Sequence, residues 1–132
     1  MSSVVPKAEE LQKLIATHKG PVVMLNLLKF RARAEGESGT GEEAYLRYAN
    51  AAREFLDQVG AKILWAGRSV AMLIGDDSDN WDAVAIVQYP SVKAFLEMVM
   101  NPDYQKIHAH REAGLERTGF IACASMDEFA NR

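Results

Sequence analysis

The chain has 132 residues, 48% of them hydrophobic and 25% charged. That suits one globular domain with its own core and excludes disordered, fibrous and collagen-like classes. Lys plus Arg number 15 against 18 Asp plus Glu, a net charge of −3 that argues against nucleic acid as a partner. A lone cysteine, Cys123, cannot form an internal disulfide and fits a reducing compartment.

The N-terminus carries Lys7, Glu9 and Glu10 in place of a signal-peptide core. No apolar run approaches the roughly 20 residues of a membrane-spanning helix. The expectation is one soluble, cytoplasmic domain over residues 1–132, with no membrane partner and residues 1–20 as an N-terminal helical extension. Pro6 opens that helix, Ala8, Leu11 and Ile15 form its narrow apolar stripe, and Gly20-Pro21 ends it. Val22 to Phe30 is almost wholly apolar and reads as a central strand buried on both faces. Glu35 to Glu43, EGESGTGEE, reads as a flexible loop. Tyr45, Tyr48, Ala49, Ala52, Phe55, Leu56 and Val59 then recur at helical spacing, and Gly60 closes this amphipathic helix.

Lys62 to Ile74 has a strand pattern, bent or bulged near Gly67. A polar turn, Gly75 to Asn80, leads to a returning strand from Asp82 to Tyr89. Ser91 is placed to cap a helix with Val92, Phe95, Leu96 and Val99 on its buried stripe. Asn101-Pro102 breaks that helix and caps another, which runs to about Arg117. Thr118 to Ala124 is a last apolar strand.

The resulting order is βαββαβ with an added N-terminal helix and a split second helix. It predicts an α+β, ferredoxin-like, four-stranded antiparallel sheet with helices on one face. The apolar strands leave the second face in need of cover, and a second copy packed sheet against sheet supplies it. A homodimer is therefore expected.

Four segments carry a resemblance to a known family: PVVMLNLLKFR (Pro21–Arg31), AYLRYANAA (Ala44–Ala52), WDAVAIVQYPS (Trp81–Ser91) and NPDYQKIHAHREAGL (Asn101–Leu115). Together they resemble a bacterial domain-of-unknown-function family of the dimeric α+β barrel superfamily. The resemblance implies a ferredoxin-like subunit whose sheet joins its partner's into a barrel, with a pocket between helices and sheet. Superfamily relatives include cofactor-independent monooxygenases, muconolactone isomerase-like enzymes, haem-processing proteins and polyketide cyclases, while this family has no established reaction.

Wheel arithmetic on the last helix brings Tyr104, Ile107, His108, Arg111 and Leu115 onto one broad face. An inward His108 offers proton transfer near neutral pH, and Arg111 offers a planar fork for a carboxylate or enolate. The bland alternative pairs Arg111 with Asp82 or Glu112 and His108 with a backbone carbonyl. Asn26 is the one polar residue within Val22–Leu28 and either contacts a ligand or makes a structural bond. Tyr45 and Tyr48, one turn apart, either line a pocket mouth under the glycine loop as lid or pack in the core with hydroxyls at the rim. Trp65 and Tyr89 either flank an aromatic ligand or pack on the sheet at a dimer contact. Trp81 is expected at the barrel edge, and Lys29 is expected to be exposed.

Sharper motifs fail. His108 and His110 diverge by about 200° on a helix, so no metal is expected there. Asp77-x-Asp79 begins like a calcium loop, but Trp81 and Asp82 stand where it needs a ligand and a glycine. The glycines lack nucleotide-binding spacing, and Cys123 reads as an inert buried thiol. The candidates are then catalytic His108 and Arg111, with Asn26, Tyr45, Tyr48 and Tyr104 binding substrate and no cofactor. Two functions fit. One is a cofactor-independent isomerase, cyclase or monooxygenase-like enzyme acting on a small oxygen-rich or aromatic anion. The other is a non-catalytic, metabolite-binding or stress-associated dimer.

Overall fold

The computed structural model describes residues 7–126. The elements are α1 (Ala8–Thr17), β1 (Val22–Phe30), α2 (Gly41–Gln58), β2 (Lys62–Arg68), β3 (Ala83–Tyr89), α3 (Val92–Val99), α4 (Pro102–Gly114) and β4 (Leu115–Cys123), with a short 3-10 turn at Asp77–Asp79. The sheet order is β2-β3-β1-β4 with every neighbouring pair antiparallel. This is the expected ferredoxin-like α+β arrangement, with β1 in the interior of the sheet.

Alternation along β1 sorts the sheet into two faces. Val22, Met24, Asn26 and Leu28 are buried, and the register sets Tyr89, Val87, Ala85 and Ala83 of β3 beside them. Phe55, Leu56, Phe95, Met98 and Tyr104 from the helices complete this core. Val23, Leu25 and Leu27 point the other way, with Val84 and Ile86 of β3, Ile121 of β4 and Trp65 of β2. Trp65 is 57% exposed and Ile121 48% exposed. The apolar surplus on both faces, inferred from the strands, is present in full.

Helix ends follow local chemistry. Thr40 and Glu43 form a reciprocal capping box at the start of α2, with Thr40 Oγ1 accepting from Glu43 N at 3.1 Å and Glu43 Oε1 from Thr40 N at 2.8 Å. Ser91 caps α3 as expected, accepting from Ala94 N at 3.0 Å. Asn101 Oδ1 accepts from Asp103 N at 2.9 Å, and Pro102 opens α4. Helices α2 and α4 cross with almost no space between their backbones. A methyl group on Gly114 would stand 2.4 Å from the Gly41 carbonyl oxygen, and one on Gly41 would stand 2.6 Å from that of Gly114. Glycine at both positions is what sets Tyr45 beside Arg111.

Several expectations are corrected. Strand β2 ends at Arg68, not Ile74, because its partner β3 begins at Ala83, the residue opposite Arg68. Beyond that point Val70, Leu73 and Ile74 stand more than nine-tenths exposed. The bulge falls between Ile63 and Trp65 rather than near Gly67. Helix α4 stops at Gly114, so β4 starts at Leu115, three residues before the expected Thr118. Pro6 lies outside the described residues. On α1, Leu11 and Leu14 pack on the core while Ala8 and Ile15 face solvent.

The loop before α2 is fastened rather than flexible. Glu37 accepts from Arg47 Nη2 at 2.7 Å and from His110 Nδ1 at 2.9 Å, and Glu35 N bonds the Ala113 carbonyl at 3.0 Å. Lys29 is half-buried on Asp82 at 3.2 Å, a partner the strand pattern alone did not offer. Trp65 and Tyr89 occupy opposite faces and cannot flank one ligand. Trp81 lies under the Arg117 guanidinium, 4.1 Å from its ring centroid. Cys123 is half-exposed on the outer face, not buried.

Candidate functional site

Between the helices and the inner face of the sheet lies a cavity of about 710 Å³. All six residues singled out in the sequence line it: Asn26, Tyr45, Tyr48, Tyr104, His108 and Arg111. Leu28, Val87 and Phe120 of the sheet, with Ala49, Ala52 and Met98 of the helices, give it apolar walls. Of the stretch Glu35 to Glu43, Glu42 in the first turn of α2 lines it. Leu46 of α2 and Ile63 of β2, both half-exposed, also line it.

Arg111 decides the electrostatics. It is only 6% exposed, and its Nη2 donates to Thr118 Oγ1 at 3.4 Å. The two acids that sequence offered as its partners are engaged elsewhere. Asp82 accepts from Lys29 and from Phe30 N, and Glu112 takes the imidazole of His108. Burying a guanidinium costs several kcal/mol unless charge or hydrogen bonds compensate. Arg111 makes a further interaction besides the one with Thr118.

Around it stands an aromatic ladder. Tyr45 packs on Tyr48 with centroids 5.6 Å apart, and Tyr48 meets Tyr104 edge-on at 6.2 Å. The Tyr48 and Tyr104 hydroxyls are 2.7 Å apart, the ordinary distance of a hydroxyl–hydroxyl hydrogen bond. Burial raises all of these phenols. Tyr45 and Tyr104 reach about 12 and Tyr48 goes well above its ordinary value, even though the nearby Arg111 pulls each of them down. They are therefore neutral hydroxyls at physiological pH, not phenolates. Asn26 donates from Nδ2 to the Met24 and Ala85 carbonyls at 3.4 and 3.3 Å, contacts long enough to be weak.

His108 packs edge-on against Tyr48 at 6.2 Å and at a tilt against Tyr104 at 5.9 Å. Its Nδ1 lies 3.0 Å from Glu112 Oε1, so its partner is a carboxylate one turn along α4 rather than a backbone carbonyl. A carboxylate only accepts, so Nδ1 carries the proton and Nε2 the lone pair of the neutral ring. Burial lowers the His108 pKa and Arg111 adds to this, outweighing the upward pull of Glu112. At neutral pH the inner end of the cavity thus combines the Arg111 cation with neutral tyrosine hydroxyls and an unprotonated imidazole.

Two features escaped the sequence reading. Glu112 was weighed only as a partner for Arg111, although its spacing of four from His108 is the signal that pairs them on a helix. His110, left on the flank, joins Arg47 in holding Glu37. Burial pushes the Glu37 carboxyl up, but the hydrogen bonds and charges of Arg47 and His110 outweigh that and lower it. The two imidazoles of α4 thus go to different carboxylates on different sides of the helix.

Residues 38–124 match the family described as "Domain of unknown function (DUF1330)". Crystal structures of the RPA0582 protein of unknown function from Rhodopseudomonas palustris are similar to this chain. The methylated form is 36% identical at a TM-score of 0.87, covering 95% of this chain and 96% of that one. The other structure is 35% identical at 0.87, covering 96% and 98%. A dabb family protein with a ferredoxin-like fold from Mesorhizobium loti, 13% identical, covers 82% of this chain and 99% of its own at 0.56. A dimeric ferredoxin-like protein of unknown function from Thermobifida fusca, 12% identical, covers 82% and 93% at 0.52. These last two share the fold alone. No curated protein matches the sequence. With two thirds of its length matched, and a relative more than one-third identical along nearly all of it, the chain belongs to the DUF1330 family of unknown function.

Proposed function

We propose that this chain is a homodimeric, cofactor-independent enzyme that binds a small oxygen-rich or aromatic anion in the cavity and transfers a proton on it. The observation that carries this reading is the buried Arg111 guanidinium, at a cavity it shares with a neutral His108 and the hydroxyls of Tyr45, Tyr48 and Tyr104. The anion pairs with Arg111, whose fork suits a carboxylate or an enolate oxygen. His108 Nε2 takes a proton from carbon next to a carbonyl, and Glu112 steadies the imidazolium that forms. Arg111 and the tyrosine hydroxyls hold the charge that develops on oxygen, and Asn26 borders the ligand. Returning the proton to a different carbon gives isomerisation, and attack of the enolate on a second carbonyl gives cyclisation.

The dimer rests on the outer face of the sheet. Val23, Leu25, Leu27, Val84 and Ile86 form an apolar surface that no helix among the described residues covers, with Trp65 and Ile121 at its flanks. A second copy meets it through a two-fold contact.

Solvent exchange tests the chemistry. Phenylpyruvate in deuterium oxide is expected to lose its benzylic proton signal faster with the protein than without it, and the acceleration is expected to fall at least a hundredfold in His108→Ala. Binding of phenylpyruvate without accelerated exchange would leave a metabolite-binding dimer in place of an enzyme.

A further inference from the structure

We infer that the ligand of this cavity is an elongated amphipathic acid. One anionic end lies at Arg111, a flat apolar body runs across the sheet, and a second anionic or strongly polar end lies at Arg68. This rests on the anion-binding reading above and narrows it.

The register supplies the geometry. Thr118, Leu28, Ala83 and Arg68 stand opposite one another in β4, β1, β3 and β2, forming one row across the inner face. Arg111 reaches Thr118 at one edge of that row through a long contact of 3.4 Å, and Arg68 stands at the other. Three inter-strand steps separate the two strand positions, about 14 Å. The neighbouring row, Phe120, Asn26, Ala85 and Ala66, ends in two alanines on the β3 and β2 side. With Ala83 they leave a shallow apolar floor where larger side chains would have filled the space.

Volume argues the same way. A cavity of about 710 Å³ lies in the range of sites for drug-sized molecules and is far roomier than a three- or four-carbon acid needs. It has ample room for a body of two rings.

Arg68 is already shown to take an oxyanion. Its guanidinium is paired with the Glu42 carboxylate from the first turn of α2, and both residues line the cavity. Arg68 is 68% exposed and Glu42 30%, so the pair sits at the mouth, where a ligand carboxylate can displace Glu42 without unfolding anything. Arg53 lines the same cavity and adds positive charge.

Calorimetric titration of benzoate, biphenyl monocarboxylate and the para,para-dicarboxylate of biphenyl tests this. Biphenyl monocarboxylate is expected to bind at least tenfold tighter than benzoate, because its second ring covers the alanine floor. The dicarboxylate is expected to gain a further three- to fivefold, the scale of a partly exposed ion pair. That last gain disappears in Arg68→Gln and grows in Glu42→Gln, while Arg111→Met weakens all three acids. Equal affinity for benzoate and both biphenyl acids, with Arg111 still required, would overturn the elongated ligand and leave the anion site standing. Absence of binding by every acid would overturn both.

Discussion

The two faces of one sheet have opposite characters. On the inner face α2, α3 and α4 bury Val22, Met24 and Tyr89, yet that face also carries Asn26 and Thr118 and looks up at Arg111. On the outer face Val23, Leu25, Leu27, Val84, Ile86 and Ile121 form a half-exposed apolar centre, with Gln88, Lys29 and Arg117 towards its ends. Covering apolar surface is inexpensive and burying charge is not. The difference separates two tasks: the inner face gives up stability to hold a polar cavity, and the outer face, on the reading proposed above, gains it from a second copy.

The largest effect is expected where that gain is withdrawn. Ile86 stands opposite Leu25 and Trp65 at the centre of the outer face. Ile86→Asp would put an unpaired carboxylate in a dry contact, a cost of several kcal/mol. Light scattering is expected to report a dimer for the wild type at micromolar concentration and a monomer for the variant. A monomeric wild type would remove the outer face's role.

Next comes the helix crossing that shapes the inner face. Gly114→Ala sets a methyl group against the Gly41 carbonyl, and neither backbone has room to yield. A loss of about 1–3 kcal/mol is expected in denaturant unfolding, together with weaker anion binding as Tyr45 is pushed from Arg111. An unchanged midpoint would mean that α2 and α4 can separate freely.

How much of this was legible in the sequence follows the range of the interactions. Alternation in VVMLNLLKF fixes which face Asn26 occupies, and one helical wheel brings Tyr104, His108 and Arg111 inward together. Both are local periodicities. The strand reading of residues 69–74 failed because apolar residues alone do not make a strand, and beyond Arg68 no residue of β3 remains to pair with. The fastened loop was illegible because Glu37 draws on Arg47 and on His110, which lies 73 positions away. The Thr40-x-x-Glu43 signature, by contrast, was in plain view inside the stretch read as loop. Within the cavity, composition named the residue types, but only the fold shows that Asp82 and Glu112 have other partners.

A smaller effect sharpens the inner face itself. Tyr48→Phe removes the 2.7 Å hydroxyl bond to Tyr104 and leaves the rings packed. About 1 kcal/mol of stability is expected to go, by thermal unfolding. A loss above 3 kcal/mol would place Tyr48 in a wider network.

The smallest expected effect is on pH. Burial holds His108 below its ordinary pKa of 6.5 in the folded state, whereas the unfolded chain protonates near that value. As pH falls below 6.5 the unfolded state takes up the proton first, so the stability tied to this residue is present above that pH and declines below it. Glu112→Gln removes the groups that pull the pKa upward and is expected to lower it further, read from the imidazole proton resonances across a pH titration. A rise would assign Glu112 the opposite influence.

The central claim is that the inner face holds an anion on a buried arginine. Calorimetric titration of biphenyl monocarboxylate into the wild type and into Arg111→Met, both verified as folded by circular dichroism, tests it most directly. One site per chain is predicted in the wild type, weakened at least tenfold in the variant, the scale of losing one buried charge-assisted pair. Equal affinity in the two proteins would contradict it.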